Sequence, residues 1–397
     1  MPDTAHPGTH AAQAGPAQAA QDATNYAPDY ATARQWFRQA TALAGAVAES
    51  QTHPQRGPDG GELAIDLAWL GPRDARRVLV LISGTHGVEG YQGSAAQIGF
   101  LQQTGSALPA DTAALLIHGL NPHGFAWVRR VNEDNIDINR NYLDFSRPLP
   151  ANPGYAEVHA MILPEALTPA ALGQVQQQLL AYMARVGKAA AATAITGGQY
   201  THPDGIFYGG QRLCWSNRQL ADIAGQYLQL ARVICVVDHH TGLGPVGHTE
   251  LICRHAAGSR ELALARAWLG DDVTSPAQGE SASAVIDGNV RMAFGNLCPQ
   301  AQVVAVCAEV GTAPETQVLA ALLADNWLHQ RGVPLSALGD GVRRQLMAAF
   351  CPPDAGWRTQ AFERAMALHR SALAGLRTAH AAPLGPAFSP HWPGPRP

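Results

Sequence analysis

The chain has 397 residues, of which 46% are hydrophobic and 15% charged, with a formal net charge of -4. That composition supplies a sizeable apolar core and excludes a chain too polar to fold. It leaves no broad basic surface for phosphates or anionic lipid, so neither nucleic acid nor a membrane is expected as a partner.

Residues 1–28 are rich in Ala, Gln, Pro, Thr and Gly without apolar periodicity, which predicts a disordered tail. They lack the basic start and continuous apolar stretch of a secretory leader, and no run of about 18 apolar residues occurs anywhere in the chain. The six cysteines are scattered and form no CxxC pair. A reducing cytoplasm is therefore the expected compartment. From Tyr30, YATARQWFRQATALAGAVAES carries apolar residues at three- and four-residue spacing, which predicts an opening helix. ELAIDLAWL (62–70) alternates like a half-buried strand. RVLVLIS (77–83), AALLIHG (113–119), RVICVVD (232–238) and VVAVCAE (303–309) are short aliphatic runs of the kind found in a sheet covered on both faces. Residues 165–195 and 217–231 read as helices, the second with Asn217 as an available N-cap. The expected fold is a single α/β domain over residues 29–375, with a central mixed, mainly parallel sheet flanked by helices. A Pro-rich tail, 376–397, follows it.

The first chemical feature is SGTHGVEGYQGS, directly after RVLVLIS, in which His86 and Glu89 stand three residues apart. Imidazole and carboxylate suit a zinc ion. With 16 histidines and 31 acidic residues, chance alone supplies about one such pair, so position must carry the argument. RVICVVD runs into Asp238-His239-His240-Thr241-Gly242, and VVAVCAE ends on Glu309 before Val310-Gly311-Thr312. Open α/β sheets build their sites at the carboxyl ends of strands, so three strands deliver ligand-type or acidic residues to one edge. His239 and His240 point to opposite faces of a strand, and only one of them can meet the metal. Asp238 reads equally as a support for the site or as a turn residue.

Between these segments, NPHGFAWVRRVNEDNIDINRNYLDF is dense in Asn, Asp and Arg. It reads as a solvated loop unless its arginines face the site, where a guanidinium grips a carboxylate or stabilises an oxyanion. His118 and His123 read as structural, and His202 and Tyr208 as pocket residues or parts of a turn-rich loop. No GxSxG elbow or P-loop supports a serine hydrolase or a nucleotide enzyme.

The segments GTHGVEG, NPHGFAWVRR, NIDINRNY, DHHTG and AEVGT, in that order over roughly residues 80–315, resemble zinc carboxypeptidases of the M14 type. They also resemble the related aspartoacylase and succinylglutamate desuccinylase enzymes. With GQYTHPDGIFYGG and the opening helix, the whole is most similar to the M14-like DUF2817 branch. The resemblance implies one zinc ion held by His86, Glu89 and His240, because those families place a small hydroxyl residue, here Thr241, after the third ligand. It implies Glu309 as general base and acid, Asn139 and Arg140 as the pair that binds the substrate carboxylate, and Arg130 as the group that polarises the scissile carbonyl. Arg129 competes for the last role. The chain departs from the pattern at His239, usually aliphatic there, and in the short spacing from Arg130 to Asn139. Three protein ligands leave a position open, as catalytic zinc requires. The expected activity is carboxypeptidase-like hydrolysis of an amide bond beside a free carboxylate in a small peptide. Deacylation of N-acyl amino acids and a non-catalytic zinc-binding module are the alternatives. Neither side-chain specificity nor oligomeric state is legible.

Overall fold

In the computed structural model, which describes residues 25–104 and 108–379, the aliphatic runs form the middle of one mixed sheet. Its strands, in chain order, are β1 (Ala48–Arg56), β2 (Glu62–Leu70), β3 (Arg77–Ile82), β4 (Thr112–His118), β5 (Val233–Gly242), β6 (Thr249–Cys253), β7 (Val273–Thr274) and β8 (Gln302–Gly311). The spatial order is β1-β2-β4-β3-β5-β8-β6-β7. The four central strands, β4, β3, β5 and β8, run parallel, while β1, β2 and β6 pair with their inner neighbours antiparallel. The described helices are α1 (Tyr30–Leu43), α2 (Gly90–Thr104), α3 (Pro122–Trp127), α4 (Tyr155–Ile162), α5 (Pro169–Val186) and α6 (Lys188–Thr196). They continue with α7 (Trp215–Tyr227), α8 (Arg260–Leu269), α9 (Val290–Leu297), α10 (Glu315–Arg331), α11 (Ala337–Phe350) and α12 (Ala355–Thr378).

Alternation along the strands sorts the core into two layers. Val80, Ile82, Ile117, Val236 and Ala305 face α7 and α9. Leu79, Leu81, Val237, Val306 and Ala308 face the opposite layer of α1, α2, α8 and α12. Covered on both faces, the central strands need apolar residues at every position, which is why they stand out in the sequence.

Four expectations are corrected. The opening helix stops at Leu43, where Gly45 takes a φ of 76°, and the chain enters β1 instead of continuing to residue 50. Pro54 is tolerated there because β1 is an edge strand. β2 is buried on both faces, since its one charged interior residue, Asp66, is neutralised by Arg34 of α1 at 2.7 Å. The 165–195 segment breaks into α5 and α6 at Gly187, whose φ of 88° ends a helix. α7 begins at Trp215 with Cys214 as N-cap; Asn217 lies inside it and donates to the Ile138 carbonyl at 3.0 Å. The expected tails lie largely outside the described residues. At their inner ends, Tyr26 is buried against Trp357 and α12 runs to Thr378, so packing passes the limits of 29 and 375. Among the described residues no helix is long and apolar enough to cross a membrane.

The layers also trap histidines. His118 Nε2 meets Ser94 Oγ at 2.9 Å, and His239 Nε2 meets His369 Nε2 at 2.9 Å. Burial pulls the pKa of His118 and His239 down to about 4, and that of His369 well down. These side chains stay neutral in the fold, whereas an unfolded histidine titrates near 6.5. The unfolded state therefore takes up more protons on acidification. Stability present above pH 6.5 is lost between 6.5 and 4, by about 3 kcal/mol for His118 alone at the lower limit. Urea denaturation at a series of pH values should show this fall, with a shallower slope in His118→Gln. Equal slopes for the two proteins would refute the contribution.

Candidate metal centre

Leaving β3, the chain makes a 3-10 turn over Gly87–Glu89 with His86 at its N-cap. Residues three apart eclipse in a 3-10 turn, so His86 and Glu89 share a side, with Nδ1 2.9 Å from Oε1. Glycine is required at position 87 because a Cβ there would overlap the carbonyl carbon of Gly124 in α3. The Gly87 and Val88 amides donate to the Arg130 and Arg129 carbonyls at 3.2 and 2.8 Å, tying the turn to the arginine segment.

His240 and Glu309 are register partners on β5 and β8 and share a face. His240 Nδ1 lies 2.9 Å from Glu89 Oε2 and 3.1 Å from His86 Nδ1. His239 points to the other face, into the pair with His369. The outer imidazole nitrogens donate to carboxylates: His86 Nε2 to Asp137 Oδ1 at 3.2 Å, and His240 Nε2 to Asp238 Oδ2 at 2.8 Å. A histidine that donates through Nε2 presents the lone pair of Nδ1. Two such nitrogens and a carboxylate oxygen thus crowd one point, which is stable only around a proton or a cation. Burial disfavours charge on His240, yet Asp238 and Glu89 outweigh it and raise its pKa to about 9. Burial likewise opposes ionisation of Glu89, but His86 and His240 hold its carboxyl well below the usual range. His86, Glu89 and His240 therefore fit a metal ion, with their ligand atoms within 4.8 Å of one another.

His240, Cys307 and Glu309 form a second group within the same limit. It is the poorer site, because burial pushes the Cys307 thiol well up and disfavours the thiolate that a metal needs. Glu309 instead accepts from the Leu243 amide at 3.0 Å, and burial together with the charge of Glu89 raises its pKa.

Arg130 bridges two acids, with Nη1 3.0 Å from Glu89 Oε1 and Nε 3.2 Å from Asp137 Oδ2. Arg129, the competing candidate, turns away to Asp325 at 3.2 Å and Asn135 at 3.0 Å. Asn139 and Arg140 sit on a second 3-10 turn, Ile138–Arg140, whose N-cap Asp137 accepts from the Asn139 amide at 3.0 Å. Asn139 Oδ1 accepts from the Val290 amide at 3.0 Å, and Arg140 donates to the Thr196 carbonyl at 2.8 Å. Arg140 and Arg130 both lie over the Phe207 ring, at 5.7 and 5.2 Å. All seven residues singled out in the sequence are thus gathered around one region. His202 lies tilted against His159 instead, ring centroids 4.2 Å apart, and Tyr208 packs in the core with its carbonyl accepting from the Asp137 amide at 2.8 Å.

Sequence reasoning missed Asp137 and Arg291. Asp137 caps the turn, orients His86 and neutralises Arg130; burial opposes its charge, but Arg130 and Arg140 hold its carboxyl far below the usual range. The Asp two residues ahead of Asn139 was a signal, since such a spacing marks an Asx cap. Arg291 of α9 reaches Asp238 at 3.3 Å from a helix with no local motif.

No curated protein matches the sequence. Among solved structures, the chain is similar to a protein of Shewanella amazonensis SB2B provisionally described as a metallopeptidase, at 17% identity over 77% of this chain and 94% of that one, TM-score 0.38. It is also similar to bovine thrombin-activatable fibrinolysis inhibitor in complex with tick carboxypeptidase inhibitor, at 12% identity over 89% and 98%, TM-score 0.42. A third likeness is to a Zn-dependent exopeptidase of Parabacteroides distasonis ATCC 8503, at 9% identity over 91% and 96%, TM-score 0.39. Residues 26–364 match the family described as a protein of unknown function, DUF2817, and the chain belongs to that family.

Proposed function

We propose that this protein is a zinc-dependent hydrolase of an amide bond beside a free carboxylate, acting in the manner of a carboxypeptidase. The observation that carries this reading is the convergence of two inward Nδ1 atoms and the Glu89 carboxylate, each histidine fixed from outside by an aspartate, with the Glu309 carboxyl on the neighbouring strand. When bound, a zinc ion supplies Lewis acidity and brings a water's pKa to roughly 7.

The chain's own groups divide the remaining work. Glu309, whose pKa is shifted toward neutrality, takes a proton from the attacking water and returns it to the leaving amine. Arg130 donates to the oxyanion that develops on the scissile carbonyl. Asn139 and Arg140 hold the free carboxylate and so fix the position of the bond. Glu309 is only 7% exposed, which favours a small peptide or N-acyl amino acid over a folded protein. The six cysteines, all buried and free, suit a reducing cytoplasm.

Metal analysis joined to parallel assays of short peptides and N-acyl amino acids tests the reading. The expected outcome is one equivalent of zinc and turnover of substrates with a free α-carboxylate but not of their amides. Arg140→Ala should raise KM by about 10- to 100-fold, the worth of a charge-assisted hydrogen bond. An unchanged KM would remove the clamp. Faster cleavage of N-acyl amino acids than of peptides would identify a deacylase, and bound zinc without any turnover would identify a non-catalytic module.

A further inference from the structure

Beyond the metal ligands, buried guanidinium groups stand without full partners. Arg291 is 2% exposed, meets a carboxylate only through Nη1, and its Nε has no partner among the described residues. Arg140 Nε is likewise buried and unpartnered, and its nearest carboxylate, Asp137, is 3.9 Å away. Arg254 donates only to neutral oxygens, the Ala284 carbonyl at 2.9 Å and Ser283 Oγ at 2.6 Å. Its Nε is buried without a partner, and among the described residues no carboxylate forms an ion pair with it.

Register puts Arg254 on the working face of the sheet. β6 runs antiparallel to β8, with Glu250 opposite Glu309 and Ile252 opposite Cys307, so Arg254 follows on the face that carries His240 and Glu309. Glu250 is taken by Thr274. A cavity of about 280 Å³ opens here, lined by Arg254, Tyr142, Gly288, Asn289, Met292 and the exposed Asp287. The segment that lines it packs directly on the Asn139-Arg140 pair: the Val290 amide, next to Asn289, donates to Asn139 Oδ1, and a Cβ on Gly288 would overlap the Arg140 carbonyl. The volume is below that of a drug-sized pocket and suits one amino-acid side chain. Burial, then Arg291 and Arg140, pull the pKa of Arg254 down to about 9, so the site pays electrostatically for holding three cations together.

We propose that Arg254, supported by Arg291, is a specificity residue for a second anionic group, so that the residue held by Asn139 and Arg140 is an aspartate or glutamate. The substrate is then a peptide ending in an acidic residue, or an N-acylated one. The inference rests on the hydrolase reading above. The α-carboxylate occupies one guanidinium, and a neutral side chain would leave buried cations unpaired, which is costly. A lysine side chain would add repulsion.

N-acetylglutamate and N-acetylglutamine, with the dipeptides Ala-Glu and Ala-Gln, differ mainly in charge and provide the test. The native protein should favour the acidic member by roughly 100-fold in kcat/KM. In Arg254→Gln that ratio should collapse toward one, and Arg254→Lys should retain part of it. Calorimetry on metal-depleted native protein gives a readout free of turnover, with L-glutamate expected to bind at least about tenfold more tightly than L-glutamine. It decides the question even if the variants fail to fold. Equal turnover of both members with equal binding of both amino acids would overturn this inference and leave the hydrolase reading standing. Preferential glutamate binding without hydrolysis of any substrate would overturn the hydrolase reading and support the Arg254 site.

Discussion

Glu309→Gln is expected to lower kcat by roughly 10²- to 10⁴-fold, the usual worth of a positioned proton-transfer group, while leaving one equivalent of metal bound. Glutamine keeps the Oε1 acceptor that the Leu243 amide uses at 3.0 Å, so the backbone after β5 has no reason to shift. The three residues placed as ligands are untouched, and only the capacity to carry a proton is lost. Because burial and the charge of Glu89 raise the pKa of Glu309, the acid limb of the native kcat/KM profile should lie above the ordinary glutamate value. Turnover measured beside metal content in the same preparation decides the matter. A kcat within tenfold of native at full metal occupancy would remove Glu309 from the reaction.

Asp137→Asn should weaken metal binding by about 10- to 100-fold and destabilise the fold by about 3–5 kcal/mol. Asp137 is fully buried and serves three partners at once: it accepts from His86 Nε2, from Arg130, and from the Asn139 amide. The amide can still cap the turn, but it cannot balance Arg130, with Arg140 only 3.9 Å away. Arg130 then keeps Glu89 as its one carboxylate among the described residues and Arg140 keeps none, which is the costly outcome, whereas the imidazole loses only its orientation. Competition with a chelator reports the first effect and denaturant titration the second. Native affinity together with native stability would reduce Asp137 to a turn cap.

The readable parts of this protein share a physical cause. β3, β5 and β8 could be seen because a strand covered on both faces is apolar throughout, and their candidate site residues could be seen because polar side chains interrupt the apolar run near each carboxyl end. β2 misled for the opposite reason. Asp66 looked like a solvent-facing residue, and only Arg34 of α1, reaching over the sheet, makes its burial affordable. Asn217 reads as a helix cap, but its amide is spent on the Ile138 carbonyl, next to Asn139.

From the sequence alone came the sheet's central strands, the family, and the seven residues brought together around the site, because periodicity and strand-end chemistry are local properties. Tertiary structure decided which of two adjacent histidines faces the cluster, which of two adjacent arginines meets Glu89, and which carboxylates orient the imidazoles. It also brought Arg254 and Arg291 to the face that carries Glu309. The partner of a buried charge is set by contacts between segments far apart in the chain. Such a contact leaves no spacing in the sequence from which it could be read.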